Sequence, residues 1–88
     1  MMLKYDQEAD AAYVSVSGPI AEGAVSRSED VSRGEQYERG IDYDSRGSIL
    51  GYEFLNVSRG VDLSGLPHQR ELTDLFEHVR GIRVLKAT

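Results

Sequence analysis

Residues 40–53 read GIDYDSRGSILGYE, and the fold turns on whether this stretch is a calcium loop or a hairpin. With Asp42 at loop position 1, Asp44 falls at 3, Gly47 at 6, Ile49 at 8 and Glu53 at 12, the positions an EF-hand loop fills. Asp42, Asp44 and Glu53 are therefore the candidate metal ligands of this chain. Position 5 is Arg46, however, a cation where a hard divalent ion takes an oxygen ligand. The flanks weigh further against an ion site. An EF-hand loop joins two helices, whereas here Ile41 and Tyr43 alternate with Asp42 and Asp44, and Leu50, Tyr52 and Phe54 alternate with Gly51 and Glu53. A period of two belongs to strands. Two strands around Ser45-Arg46-Gly47-Ser48, with Gly47 taking a positive φ, make a β-hairpin, and no metal is expected.

Outward from the hairpin the same period recurs. MLKY (2–5) suits a short strand and DQEAD (6–10) a turn built from residues that hydrogen-bond their own backbone. In AAYVSVS (11–17), Ala12, Val14 and Val16 alternate with Tyr13, Ser15 and Ser17, a strand with one apolar face. Gly18-Pro19 ends it. Residues 20–31 alternate more weakly, as a polar edge strand does. SRG occurs at 32–34, 45–47 and 58–60, always thirteen residues apart. The intervening sequences do not align and the spacing is shorter than true repeat units, so the copies read as turn chemistry. The sharper alternative, Arg33, Arg46 and Arg59 gripping an anion, is weakened because successive turns of a meander lie at opposite ends of the sheet.

One helix is expected, over 66–80. Pro67 suits a first helical position, Leu72, Leu75, Phe76 and Val79 fall at i, i+3, i+4 and i+7, and Gly81 stands where a C-terminal cap belongs. Residues 82–86 (IRVLK) form a candidate final strand, pairing within the chain or with a neighbour. The expected fold is thus a small α+β domain: a four- or five-stranded antiparallel β-meander over 1–60, a C-terminal helix packed on one face, and a short last strand, all in one domain spanning 1–88.

Eighty-eight residues fit a single core. The absence of cysteine excludes disulfides, a thiolate nucleophile and Cys-based zinc. MMLKYDQEAD has no apolar h-region and no apolar run nears the ~20 residues that span a bilayer, so a cytoplasmic, membrane-free protein is expected. The net charge of −5 repels polyanions at long range, which argues against nucleic acid.

YDQEADAAYVSVS (5–17) followed by IDYDSRGSILGYEFLNVSRG (41–60) resembles the uncharacterised bacterial family called domain of unknown function 2283. In that family a Tyr-Asp turn leads to an Asp and a strand Tyr, and a later Asp-x-x-Gly turn precedes Gly-x-Glu. The matching positions are Tyr5, Asp6, Asp10, Tyr13, Asp44, Gly47, Gly51 and Glu53. The resemblance covers about residues 2–60, and more loosely the tail. It implies a small α+β domain with an antiparallel sheet, and it carries no catalytic or ligand residue.

The residues supply little for an enzyme. His68 and His78 are ten apart, unlike a helical metal pair, and no HExxH, GxSxG, P-loop or GxGxxG is present. No catalytic residue and no cofactor are expected. One helix covers only one side of the sheet, so the second face is expected to present tyrosines and aliphatic groups, with Tyr5, Tyr13, Tyr43 and Tyr52 as candidates. The leading expectation is an acidic protein-interaction module acting through an open sheet face or an edge, pairing with itself as a homodimer or with a small basic protein as an antitoxin-like neutraliser does. The alternative is a small-molecule or metal-ion binding domain using Asp42, Asp44 and Glu53, followed by an enzyme with His68 or His78 as base.

Overall fold

In the computed structural model, which describes residues 1–85, two hairpin turns of the sheet are each shaped by an aspartate. The Asp6 carboxylate accepts the N–H groups of Glu8 (3.0 Å) and Ala9 (3.2 Å), reversing the chain between Met2–Asp6 (β1) and Ala11–Ser15 (β2). Asp44 does the same for the opening stretch. Its Oδ1 accepts from Arg46 N and Ser48 N, both at 2.9 Å, and Gly47 takes φ 84°, joining Arg39–Tyr43 (β4) to Ile49–Leu55 (β5) as a hairpin. The α+β expectation therefore holds, with five antiparallel strands in one sheet.

The strand order refines the expected meander. Arg27–Asp30 (β3), β4 and β5 do follow one another, but β5 then lies beside β2, giving β1-β2-β5-β4-β3. Val14 meets Tyr52, and Ala12 meets Phe54, so the apolar sides of two distant segments merge in one row. The connection through residues 16–26 carries the chain from β2 to the far edge. A strand was expected over 20–31, but only β3 forms: Ala24 N donates to Ala21 O (3.1 Å) in a turn, with Gly23 at φ 80°. All four β3 residues are exposed, so no apolar face holds a longer strand in place.

One face of the sheet is buried. Val14, Ile41, Tyr52 and Phe54 pack with Val57, Val61, Leu63, Leu72 and Phe76. The helix is Gln69–Glu77 (α1), shorter than the expected 66–80, and it buries Leu72 and Phe76 completely while Leu75 is half-buried. Phe76 meets Phe54 edge to face, ring centroids 5.1 Å apart. Each such side chain contributes about 1.5–3 kcal/mol before entropy is counted. The late start has its cause in a contact from the sheet. His68 takes φ 60°, so Pro67 and His68 stand outside the helix, and Tyr52 Oη bonds to Pro67 O (3.0 Å) and lies 2.8 Å from His68 Nδ1. A proton on Nδ1 donating to Tyr52, which in turn donates to Pro67, satisfies all three groups.

The final strand is Val84–Leu85 (β7), and it pairs in parallel with Val61–Asp62 (β6) of the same chain, Val61 N donating to Arg83 O (2.8 Å). The helix is thus the crossover a parallel pair requires. The expected strand ran to Lys86, which lies outside the described residues. Arg39 fastens β6 to the sheet: buried, it donates from Nε to Val31 O and from Nη1 to Asp62 O, both 2.6 Å, with the Asp62 carboxylate at 3.9 Å. Burial pulls its pKa down, and the Asp62 charge opposes that.

Candidate functional site: the open face of the sheet

Strand register assigns the residues of the face opposite the helix. One row across the sheet is Lys4, Tyr13, Glu53, Gly40 and Asp30; the next is Met2, Ser15, Gly51, Asp42 and Ser28. The expectation that this face presents several tyrosines and aliphatics is corrected. Tyr5 and Tyr52 stand in register with Ala12 and Val14 on the helix side, and Tyr43 stands there with Arg27 stacked 4.0 Å from its ring centroid. Only Tyr13 faces outward. Which side of a strand the helix will cover is a long-range outcome, and period-two alternation carries no information about it.

Tyr13 organises the face. Its ring lies over Gly51, where a Cβ would stand 2.6 Å from ring atoms Cε1 and Cζ, so only glycine admits this arrangement. Its hydroxyl donates to Asp42 Oδ2 (2.8 Å), and Ser28 Oγ donates to Asp42 Oδ1 (2.6 Å), linking β2, β4 and β3. Burial, the bond to Asp42 and the charges of Asp42 and Glu53 all push the Tyr13 hydroxyl well above the ordinary tyrosine range. Tyr13 therefore stays a hydrogen-bond donor at neutral pH.

Beside it, bare Gly40 floors a trough of about 460 Å³ whose walls include Asp30, Glu38, Asp42 and Glu53. Glu53 is exposed, and its carboxylate has no hydrogen bond or ion pair among the described residues. Asp42 and Glu53 thus share this face, but Asp44 does not join them, because its carboxylate is held by the β4–β5 turn. Among the described residues, no three His, Asp or Glu side chains are grouped so as to hold a metal ion.

The remaining residues singled out in the sequence have structural positions. Asp10, at φ 52°, accepts Ser58 N (2.9 Å) and Ser58 Oγ (2.7 Å), tying the β1–β2 turn to the 3₁₀ turn Val57–Arg59. The three SRG copies all end in glycines of positive φ: Gly34 at 76°, Gly47 at 84° and Gly60 at 117°. They are turns. His78 Nδ1 bonds to Asp74 O (2.6 Å) at the end of the helix, far in sequence from the Tyr52–His68 contact.

A family model described as "Protein of unknown function (DUF2283)" matches residues 2–58. The chain belongs to this family. Neither the curated proteins nor the solved structures yield a match. The DUF2283 match covers the whole five-stranded sheet and reaches Ser58, the residue that Asp10 holds. Within this DUF2283 chain, Asp6, Asp10, Asp44 and Gly47 shape turns, while Tyr13 and Gly51 interlock on the open face. Glu53 alone among these positions has no partner. Ser28, Arg39 and Gly40 were missed by sequence reasoning; the signal for Gly40 was present, since a glycine inside a strand pattern marks a close approach or an open floor. Among the described residues no helix is long and apolar enough to cross a membrane.

Proposed function

We propose that the chain is a protein-interaction module that presents its open, acidic sheet face to a small basic protein in the cytoplasm. What supports this reading is the trough above Gly40, where Asp30, Glu38, Asp42 and Glu53 converge with no cation among its lining except the inward-held Arg39 guanidinium. Exposed carboxylates held on rigid strands attract a basic surface and steer its approach, and the long-range attraction is screened by salt. Glu53 is the strongest single contributor, because its charge is not committed to any neighbour. Neutralisation of a basic, nuclease-like partner, the antitoxin-like role, is the specific form of this reading. No specific observation favours the small-molecule or metal alternative.

The test is affinity capture from the native host by the wild-type chain and by Glu38→Lys/Glu53→Lys. A basic protein retained by the first and lost by the second supports the proposal. A partner retained equally by both, or none at all, overturns it.

A further inference from the structure

We infer that β3 is a self-pairing edge, and that two copies of the chain join there antiparallel about a twofold axis through Ser28 to form one continuous ten-stranded sheet. This inference rests on the outward backbone groups of β3 and the charges of Arg27 and Glu29, and not on Glu53, although Ser28, Glu29 and Asp30 also line the acidic trough.

The backbone offers the contacts. β3 is the last strand of the sheet, with no described strand on its outer side. Val31 N donates to Arg39 O (3.0 Å) and Leu55 N to Glu38 O (3.0 Å), which fixes the phase of the ladder from residue 27 onward: residues 27, 29 and 31 direct their backbone groups to β4, and Ser26 N, just before the strand, also turns inward to Tyr43 O (2.8 Å). The N–H and C=O of Ser28 and Asp30 therefore point outward. A twofold axis through Ser28 lets the two Ser28 residues exchange both of their backbone hydrogen bonds.

The side chains select that register. An axis through Arg27 sets Arg27 against its own copy, and an axis through Glu29 sets two carboxylates face to face. The Ser28 axis alone places Arg27 opposite Glu29 twice, at positions outside the hydrogen-bonded pair, where side chains approach most closely. Arg27 and Glu29 already neighbour each other within the strand, Nη1 to Oε2 at 3.8 Å, so the dimer completes a square of alternating charges. All four residues of β3 are exposed, and Arg27, stacked on Tyr43, and Glu29, which accepts from Tyr43 Oη (3.2 Å), are held beside each other on one side of the strand. The other rim, β1, is less suited: centring on Lys4 opposes two lysines, and the register pairing Lys4 with Asp6 spans only the end of the strand, where Asp6 is already committed to its turn. Pairing through one short strand buries little surface, which places this dimer among weak, reversible interfaces below ~1,200 Å².

Sedimentation equilibrium of the full chain from about 10 μM to 1 mM, a range chosen for micromolar to millimolar affinity, tests the inference. The wild type is expected to show a monomer–dimer equilibrium. Arg27→Glu and Glu29→Arg, each of which creates like-charge pairs across the axis, are expected to weaken it by roughly tenfold or more. The double exchange R27E/E29R, which restores opposite charges in swapped positions, is expected to recover it. Melting curves of dilute samples confirm that the variants fold. A wild type that is monomeric throughout, single reversals without effect, or a double exchange that fails to recover pairing would each overturn the inference.

Discussion

The two faces of this one sheet are built from the same strands and put to opposite uses. On the helix side, Val14, Tyr52 and Phe54 are buried against Leu72 and Phe76, and two polar side chains there have internal partners, Arg39 in Val31 O, Asp62 O and the Asp62 carboxylate, and Tyr52 in Pro67 and His68. On the open side, Tyr13, Asp42 and Ser28 form one small network, while the Glu53 carboxylate beside them is uncommitted. The contrast teaches where to expect stability and where to expect recognition. A residue whose bonds are all internal supports the fold; a charge left bare on a rigid surface is available to something else.

The sharpest way to break this contrast is through the core. Phe76→Ala removes the ring that meets Phe54 edge to face and should cost about 3–5 kcal/mol. Against a domain stability of roughly 5–15 kcal/mol, that is a large share, and at the low end of the range it unfolds much of the population. Urea denaturation measures it directly, and a loss under 1 kcal/mol would mean that the helix does not anchor the sheet.

The next effect depends on pH. Burial, followed by the charges of Tyr43 and Glu71, pushes the Tyr52 hydroxyl up to about 12. The unfolded chain gives up this proton near pH 10 while the folded chain keeps it, so the contribution is complete below pH 10 and is lost as pH rises to about 12. Across that window Tyr52 should account for on the order of 2–3 kcal/mol of falling stability. Tyr52→Phe should be less stable at neutral pH yet fall less steeply above pH 10; identical slopes would remove Tyr52 from the account.

Much of this contrast was legible in the sequence, but only where it is local. The Asp44–Gly47 turn, the alternation on either side of it and the apolar stripe Leu72–Phe76 depend on neighbours within a few residues, and all appear in the structure. The insertion of β5 beside β2 was not legible, because it follows from long-range merging of apolar faces. For the same reason the side taken by Tyr5, Tyr43 and Tyr52, expected to lie in strands, was not legible, and all three lie on the helix side. The helix begins late because Tyr52, fourteen residues before Leu66 in sequence, holds Pro67 and His68 outside it. On the open face Gly51 and Glu53 stood out from the sequence, whereas Ser28 and Gly40 join them only once the register of β3 and β4 is known.

The open face has its own structural requirement at Gly51, which sharpens the comparison. Gly51→Ala drives a methyl into the Tyr13 ring and should cost about 1–3 kcal/mol. In a Tyr13→Ser background the same change should cost much less, and the difference measured in a double-mutant cycle is the interlock itself. Equal costs in both backgrounds would show that Tyr13 and Gly51 are independent.

Glu53 gives the smallest effect on stability and the most direct test of the central claim that the open face serves recognition. Urea denaturation of Glu53→Gln, run beside capture of the basic partner, should show stability within about 0.5 kcal/mol of the wild type together with weakened partner binding. A stability loss above 1 kcal/mol with partner binding intact would make Glu53 a structural residue and contradict the account.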